Sequence, residues 1–180
     1  MSVDLVWTGP ETEGMHNRNT AVVCRELFRT AKQQVLISSF VVYQGREVFA
    51  VLAENMDANA SLDVKIFLEV QRKQGDTTAN AVLVEQFKNR FLAREWPGKR
   101  IPQLFYDPRS LNLDSKTRSS LHAKCIVVDK QVCFATSANL TQAAQQRNIE
   151  AGFLIRDEKI ASQLAGHFEQ LLGSGYFLGF

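Results

Sequence analysis

Short apolar runs of β type alternate with longer runs of helical periodicity along most of this chain, and this alternation constrains its fold more than any other feature. Residues 34–42 (QVLISSFVV) are rich in β-branched side chains and lack a polar face, which is typical of a strand covered on both sides. Residues 157–172 instead place Ile160, Leu164 and Phe168 on one helical stripe. The alternation predicts an α/β domain whose sheet is covered by helices.

The same pattern predicts the element boundaries. Strands are predicted at 3–7, 34–42, 62–68, 100–106, 121–128, 132–137 and 149–155, and helices at 17–32, 45–59, 77–94 and 157–172. Because Pro102 cannot donate to a strand ladder, the strand at 100–106 is expected to be short or near an edge. No Gly/Ser-rich linker or long-period repeat interrupts the chain, so residues 1–180 are predicted to form a single domain. The apolar tail at 173–180 is expected to pack on the core or on a partner subunit.

Composition is that of an ordinary globular protein, with 45% hydrophobic and 22% charged residues. No run of about 18 apolar residues is present, so no membrane-spanning helix is expected, and the N-terminus lacks the basic and apolar regions of a secretory signal. The cysteines Cys24, Cys125 and Cys133 lack CxxC spacing, which favours buried reduced thiols and a cytoplasmic location. A net charge of +2 neither requires nor excludes a nucleic-acid partner.

One stretch of the sequence combines groups that are able to carry out phosphate chemistry. Residues two apart on a strand share a face, so His122 and Lys124 should project together, away from the apolar residues that alternate with them. A hairpin that turns at 129–131 would return Ser137 and Asn139 to the side of His122. The imidazole could then act as a nucleophile or as an acid–base group. The ammonium, hydroxyl and amide groups could hold an anion such as a phosphate.

Simpler interpretations compete with this one. A histidine on a strand is most often structural, and a neighbouring lysine can extend to water; keeping both on such an apolar strand costs free energy, however, unless an anion binds there. A zinc site built from His122 and the two nearby cysteines is disfavoured, because alternation places Cys125 on the opposite face and Lys124 would repel a cation. His16 lies in a loop-like stretch and His167 in the last predicted helix, where structural roles are expected.

The spacing of these residues resembles a known signature. His122-Ala-Lys124, four further residues, Asp129, and then Ser137-Ala-Asn139 are similar to the HxKxxxxD…GSxN signature of the phospholipase D superfamily. The resemblance implies a mixed β-sheet flanked by helices on both faces, with the motif at 122–139.

Two further features extend the resemblance. Glu150 lies in a segment that resembles the acidic strand following the signature, and Thr136 stands where the family usually has glycine, which leaves the backbone less free there. The strings WTGP at 7–10, AVV at 21–23, GDTT at 75–78, YDPR at 106–109 and TSAN at 136–139 are similar to the phospholipase D-like subfamily of DISARM antiphage systems.

The resemblance also implies a mechanism without a metal or another cofactor. His122 would attack phosphorus and form a phosphohistidine, and Glu150 would orient its imidazole. The phosphate would be bound by Lys124, Ser137 and Asn139.

Because the chain carries one motif, and superfamily members bring two motifs together, the resemblance implies a homodimer with a shared site. Asp129 is carried over with the catalytic motif, although at the predicted hairpin turn its expected role is structural capping. The resemblance favours a nuclease in antiphage defence that acts on DNA rather than RNA, alongside other subunits of the defence system and without a membrane. Arg109, Lys116 and Arg118 are candidate nucleic-acid contacts. Two alternatives stay open: a nucleic-acid-binding scaffold with a vestigial site, and a lipid phosphodiesterase.

Overall fold

The chain folds around a mixed β-sheet, seen in a computed structural model that describes residues 1–10, 13 and 17–180. The main sheet contains β1 (Ser2–Thr8), β2 (Arg18–Asn19), β3 (Gln34–Ser39), β5 (Asp63–Leu68), β6 (Gln103–Tyr106), β7 (Cys125–Val128), β8 (Val132–Thr136), β10 (Glu150–Arg156) and β11 (Leu178–Gly179). A separate parallel pair is formed by β4 (Val42–Tyr43) and β9 (Leu140–Thr141).

The order of strands across the main sheet is β11-β6-β5-β3-β7-β8-β10-β1-β2. Strands β3, β5 and β6 run parallel to one another. Antiparallel pairing joins β3 to β7, β7 to β8, β8 to β10 and β10 to β1. Strand β3, from the parallel half, and strand β7, from the antiparallel half, therefore lie side by side near the centre of the sheet.

Helices cover both faces of the sheet. They are α1 (Thr20–Thr30), α2 (Gly45–Val48), α3 (Ala50–Ala58), α4 (Asn80–Arg90), α5 (Gln142–Gln146) and α6 (Glu158–Gly173). Phe28 of α1 and Leu52 of α3 share one buried cluster with Ile37 of the sheet. On the other face, Ala165 of α6 shares a second cluster with Val127. The prediction of a mixed α/β sheet with helices on both faces is confirmed.

Polar caps explain where two of the helices begin. The Asn19 side chain accepts hydrogen bonds from the backbone nitrogens of Ala21 and Val22 at 3.0 and 3.2 Å, so α1 begins at Thr20 and not at residue 17. The Asp157 side chain accepts from the backbone nitrogen three residues later at 3.0 Å and caps α6 in the same way.

Two predicted helices differ from the observed ones in detail. The helix predicted at 45–59 is divided at Phe49, whose φ and ψ of −92° and −2° depart from helical values. The helix predicted at 77–94 begins at Asn80 and ends in a π-helical turn, Phe91–Glu95.

Strand β7 begins at Cys125, four residues later than predicted. Pairing between β3 and β7 stops at Ser38 and Cys125, and residues 121–124 have no ladder partner on that side. His122 and Lys124 therefore lie just beyond the end of a strand instead of on its inward face. Placed there, the two polar side chains do not have to be buried among apolar neighbours.

The C-terminal tail packs on the core of its own chain. Phe177 is buried, with its ring centroid 4.8 Å from that of Phe67 and 6.0 Å from that of Phe168. Strand β11 of the tail pairs with β6. Strand β6 is thus second from the edge of the sheet, in agreement with the expectation drawn from Pro102.

The three cysteines are buried free thiols, as the sequence predicts. Cys24, Cys125 and Cys133 are free and buried, and burial raises the pKa of the Cys24 and Cys125 thiols to about 12. No helix in the described part of the chain combines the length and the apolar character needed to cross a membrane. His16 lies outside the described residues.

Candidate active site

The centre of the candidate site is the contact between Lys124 and His122. Lys124 Nζ lies 3.2 Å from His122 Nδ1 and donates to the His122 carbonyl oxygen at 2.8 Å. The imidazole is exposed and the lysine side chain is half-buried. Burial lowers the pKa of Lys124, while the negative charge of Glu150 acts in the opposite direction. A partly desolvated ammonium beside an accessible imidazole is suited to binding an anion.

Ser137 and Glu150 form a hydrogen-bonded pair at the same end of the sheet. Ser137 Oγ donates to Glu150 Oε2 and accepts from the backbone nitrogen of Ala151 at 3.2 Å. Asn148 Nδ2 donates to the other Glu150 oxygen at 3.2 Å. Among the described residues Glu150 makes no hydrogen bond to His122, so within one chain its carboxylate orients Ser137 and not the imidazole.

Asn139 is fixed by the chain that follows β3. Its Oδ1 accepts a hydrogen bond from the backbone nitrogen of Val41 at 3.2 Å, which leaves the amide nitrogen as the group that can donate to a bound anion. The pairing of β4 with β9, in which Val42 is opposite Leu140, holds the two segments together.

The carboxyl end of β3 contacts both halves of the motif, and the sequence analysis missed this role. Ser38 Oγ donates to the Ala123 carbonyl oxygen at 2.9 Å, and Ser39 Oγ accepts from the Leu140 backbone nitrogen at 3.2 Å. Phe40 lies against the imidazole of His122, with ring centroids 4.9 Å apart. Two adjacent serines in an otherwise apolar strand were the available signal, since buried hydroxyl groups need partners.

Thr136 has a structural function of its own at the position where the superfamily usually has glycine. Its Oγ1 accepts from the Ala138 backbone nitrogen at 3.0 Å, and its backbone nitrogen donates to the Lys124 carbonyl oxygen at 3.1 Å. Its φ is not among the positive values found in the described residues. The local backbone therefore does not need the freedom of glycine.

Glu69 anchors the start of the motif from the end of β5. Its carboxylate accepts from the Leu121 backbone nitrogen at 2.8 Å. Burial raises the pKa of Glu69, although this hydrogen bond acts in the opposite direction. The bond fixes the residue immediately before His122.

Asp129 lies at the hairpin turn between β7 and β8, at the far end of β7 from His122. Its carboxylate accepts hydrogen bonds from three backbone nitrogens, those of Lys32, Gln33 and Gln34, at 2.9, 2.7 and 2.8 Å. Asp129 and Lys130 both adopt left-handed backbone, with φ of 52° and 54°, as a tight hairpin turn requires. The structure thus gives Asp129 the capping role and separates it from the groups that surround His122.

Two of the three candidate nucleic-acid contacts have partners within the chain. Arg109 Nη2 donates to Asp107 Oδ2 at 2.7 Å, and its guanidinium lies 4.9 Å from the Tyr176 ring centroid. Arg118 donates to backbone carbonyl oxygens of residues 72, 112 and 113 and so ties the 107–120 connection to the fold. The side chain of Lys116 is exposed to solvent.

The metal alternative has no support in the geometry of the described residues. Cys125 is buried in the cluster beneath α6, while His122 is exposed beyond the strand end. The described part of the chain contains no group of three or more His, Cys, Asp or Glu side chains arranged to hold a metal ion. His167 is exposed on α6.

Comparison with known families identifies the family of the domain. The family described as "Cardiolipin synthase, PLD-like domain" matches residues 24–172. The matched range includes every motif residue from His122 to Glu150.

Among curated proteins, the DISARM protein DrmC of Bacillus paralicheniformis is 29% identical over 160 residues, which cover 88% of this chain and 59% of DrmC. The chain thus spans 59% of the length of this curated relative.

Two solved structures share the fold. The phospholipase D family member Nuc from Salmonella typhimurium has a TM-score of 0.61 at 18% identity, covering 99% of this chain and 97% of Nuc. NucT from Helicobacter pylori has a TM-score of 0.62 at 13% identity, covering 89% of this chain and 91% of NucT. With the family match extending over residues 24–172, the chain belongs to the phospholipase D superfamily of PLD-like domains and within it resembles DrmC.

Proposed function

We propose that this protein is a metal-independent phosphodiesterase, a nuclease that cleaves DNA through a phosphohistidine at a site shared by two copies of the chain. The observation that carries the proposal is the 3.2 Å contact between the Lys124 ammonium and the exposed His122 imidazole. Glu150, which is hydrogen-bonded to Ser137, is close enough for its charge to act on Lys124. Asn139 is hydrogen-bonded to Val41, the residue after Phe40, and Phe40 contacts the imidazole. Membership of the superfamily supports the same assignment.

The proposed reaction has two steps. In the first, a nitrogen of His122 forms a bond to phosphorus while the bond between phosphorus and the leaving oxygen breaks. His122 of the partner subunit, which starts protonated, gives its proton to that oxygen. In the second step the same imidazole removes a proton from water, the water oxygen bonds to phosphorus, and the phosphorus–nitrogen bond breaks. Both imidazoles return to their starting states.

Lys124 and the Asn139 amide supply the charge stabilisation in this proposal. The ammonium and the amide hydrogens would donate to the non-bridging phosphate oxygens, whose negative charge grows in the transition state. A two-fold site brings two such lysines to one phosphate. This local positive charge replaces the divalent cation on which many other phosphodiesterases depend.

An uncovered apolar face next to the site fits the second copy. Leu5 of β1 is paired with Phe153 of β10, and Val3 lies on the same face; these side chains are 38%, 52% and 49% exposed. The face continues to Ala151, whose backbone nitrogen donates to Ser137. Because the face is continuous with the site, a dimer that buries it would also bring the two His122 side chains together. A standard interface buries about 1,600 Å².

The dimer can be tested by placing a charge on this face. Phe153→Asp should halve the mass measured by light scattering and remove DNA cleavage at the same concentration. Val22→Asp is the matched control, because Val22 is 48% exposed on α1, away from the face. A strictly monomeric wild-type protein that retains full activity would contradict the shared site.

The activity is tested by offering DNA, RNA and phospholipid vesicles in excess EDTA. DNA cleavage should persist, and His122→Ala should lower turnover by several orders of magnitude. His167→Ala, which removes the exposed histidine of α6, should leave turnover unchanged. A denaturing quench during turnover should trap an acid-labile, base-stable phosphoramidate on His122.

Three results would contradict parts of this assignment. Loss of cleavage on chelation, restored by Mg²⁺ or Zn²⁺, would refute the metal-independent chemistry. Full cleavage by His122→Ala, with contaminating nuclease excluded, would refute the nucleophile. If wild type and His122→Ala were both inactive but bound DNA equally, the protein would be a binding scaffold.

The similarity to DrmC supports a place in antiphage defence beside other subunits, and we propose that this protein acts in the cytoplasm.

A further inference from the structure

An open groove lies beside the active site. It has a volume of about 640 Å³ and lies between the segment after β3, the end of β5 and helix α4. The carboxyl ends of parallel strands are where α/β sheets commonly bind ligands. Phe40 connects the groove to the active site, because its ring lines the groove and contacts the His122 imidazole. A ligand in the groove would therefore extend to the reacting imidazole.

Tyr43 stands out among the residues that line this groove. It is 63% exposed, the most exposed aromatic side chain in the described part of the chain. Its backbone is nevertheless fixed, because β4 pairs with β9 and Tyr43 is opposite Thr141, two residues after Asn139. The fold leaves most of the apolar surface of this ring in water, whereas a bound ligand could cover it.

Apolar side chains make up part of the groove wall, and four of the polar ones match parts of a nucleotide. Lys73 and Arg90 can contact phosphate, and Gln71 and Gln86 carry amide donors and acceptors for base edges. The carboxylate of Asp76 is already bonded to the Thr78 backbone nitrogen at 2.8 Å.

We propose that Tyr43 is a stacking platform for an unpaired nucleobase next to the scissile phosphodiester, so that the preferred substrate is single-stranded DNA. In a duplex, both faces of each base are already stacked on neighbouring bases, and the ring of Tyr43 could not reach them. An unpaired base offers a free face, and stacking on one aromatic ring changes affinity by roughly 5- to 100-fold. This inference rests on the proposed nuclease function and names its substrate class.

The test measures binding in the His122→Ala background, so that cleavage is not required. The probes are a fluorescent 12-nucleotide single strand, the corresponding duplex, and a 12-unit deoxyribose-phosphate chain without bases. Tyr43→Ala should weaken binding of the single strand by roughly 5- to 100-fold, whereas Tyr43→Phe should stay within about twofold because it keeps the ring. Binding of the duplex and of the baseless chain should not change. Tyr176→Ala is the matched control, since Tyr176 is 47% exposed and lies against Arg109.

Three outcomes would overturn the inference. Equal binding of the single strand by Tyr43→Ala and its parent would remove the stacking role while leaving DNA binding intact. A smaller mass for Tyr43→Ala in light scattering would make Tyr43 a subunit contact instead. If neither protein bound any of the probes, the proposed nuclease function would fail together with the inference.

Discussion

Replacing Asp129 should destabilise the fold without impairing the chemistry of the folded protein. The carboxylate accepts three backbone hydrogen bonds from the connection between α1 and β3. Two of these, from Lys32 and Gln33, are solvent-exposed, so water can replace them at a cost of about 0.5 kcal/mol each. The third, from Gln34, is partly buried and contributes about 1.5 kcal/mol.

The backbone adds a further cost. Aspartate tolerates the left-handed backbone at a φ of 52° better than alanine does, so the substitution costs about 1 kcal/mol more. Asp129→Ala should therefore lower the free energy of unfolding by about 3.5 kcal/mol. Asp129→Asn keeps an acceptor oxygen and tolerates this backbone, so its effect should be about half as large. Lys130 has the same left-handed backbone, but its side chain does not accept three backbone hydrogen bonds. Lys130→Ala should therefore lower the free energy of unfolding by less than about 1 kcal/mol.

Unfolding in urea, followed by tryptophan fluorescence with Trp96 as the buried reporter, measures these differences. Five residues separate Asp129 from Lys124, which is about 16 Å at strand spacing. The carboxylate therefore cannot contact a phosphate held at His122, and turnover by folded Asp129→Ala should equal that of the wild type. Unchanged stability together with a loss of turnover of about 100-fold or more would place Asp129 in the catalytic machinery and refute this reasoning.

Three other perturbations test the site and its supports. Gly152→Ala should cost about 1–3 kcal/mol in a thermal melt, because an added Cβ would lie 2.7 Å from a backbone oxygen of β8. Burial raises the pKa of Asp107, but its hydrogen bonds with Arg109 and Ser119 lower it overall. The stability that Asp107 contributes should thus be present above pH 3.8, the ordinary carboxyl pKa, and be lost as the pH falls below it. In thermal melts of Asp107→Asn recorded between pH 2 and 7, that pH dependence should be absent. Glu150→Gln should move the alkaline limb of the pH–rate profile to lower pH, because the negative charge of Glu150 holds up the pKa of Lys124.

The fold was largely predictable because its elements follow local patterns. Period-two and period-3.6 repeats of apolar residues fix which segments become strands and helices, and the clusters on both faces of the sheet follow from those repeats. The contact between His122 and Lys124 was predictable for the same reason, since the two residues are only two apart in sequence. The prediction was wrong about the exact start of β7, because pairing with β3 stops at Ser38 and Cys125, and the alternation within one strand does not show where pairing stops.

The supports of the site were not predictable, because they come from distant parts of the chain. Ser38 and the carbonyl group of Ala123 are 85 residues apart in sequence, and Ser39 and the backbone nitrogen of Leu140 are 101 residues apart. No periodicity within a window of 18 residues contains that information. Arg118 illustrates the same limit, since a basic residue in a polar loop indicated a phosphate contact, whereas in the structure its guanidinium bonds backbone carbonyl groups.

The end of β3 explains how the two separated parts of the signature are held in a fixed position relative to each other. Ile37 is fully buried between the helical layers, so the position of the strand is set by the core. Ser38 and Ser39 then bond backbone groups on either side of the β7–β8 hairpin, Phe40 contacts the imidazole, and Val41 donates to the amide oxygen of Asn139. One strand end thus positions His122, the proposed nucleophile, and Asn139, the proposed phosphate-binding donor, relative to each other. Because a hairpin alone could twist or slip, this third strand supplies the precision that the proposed phosphoryl transfer at His122 would require.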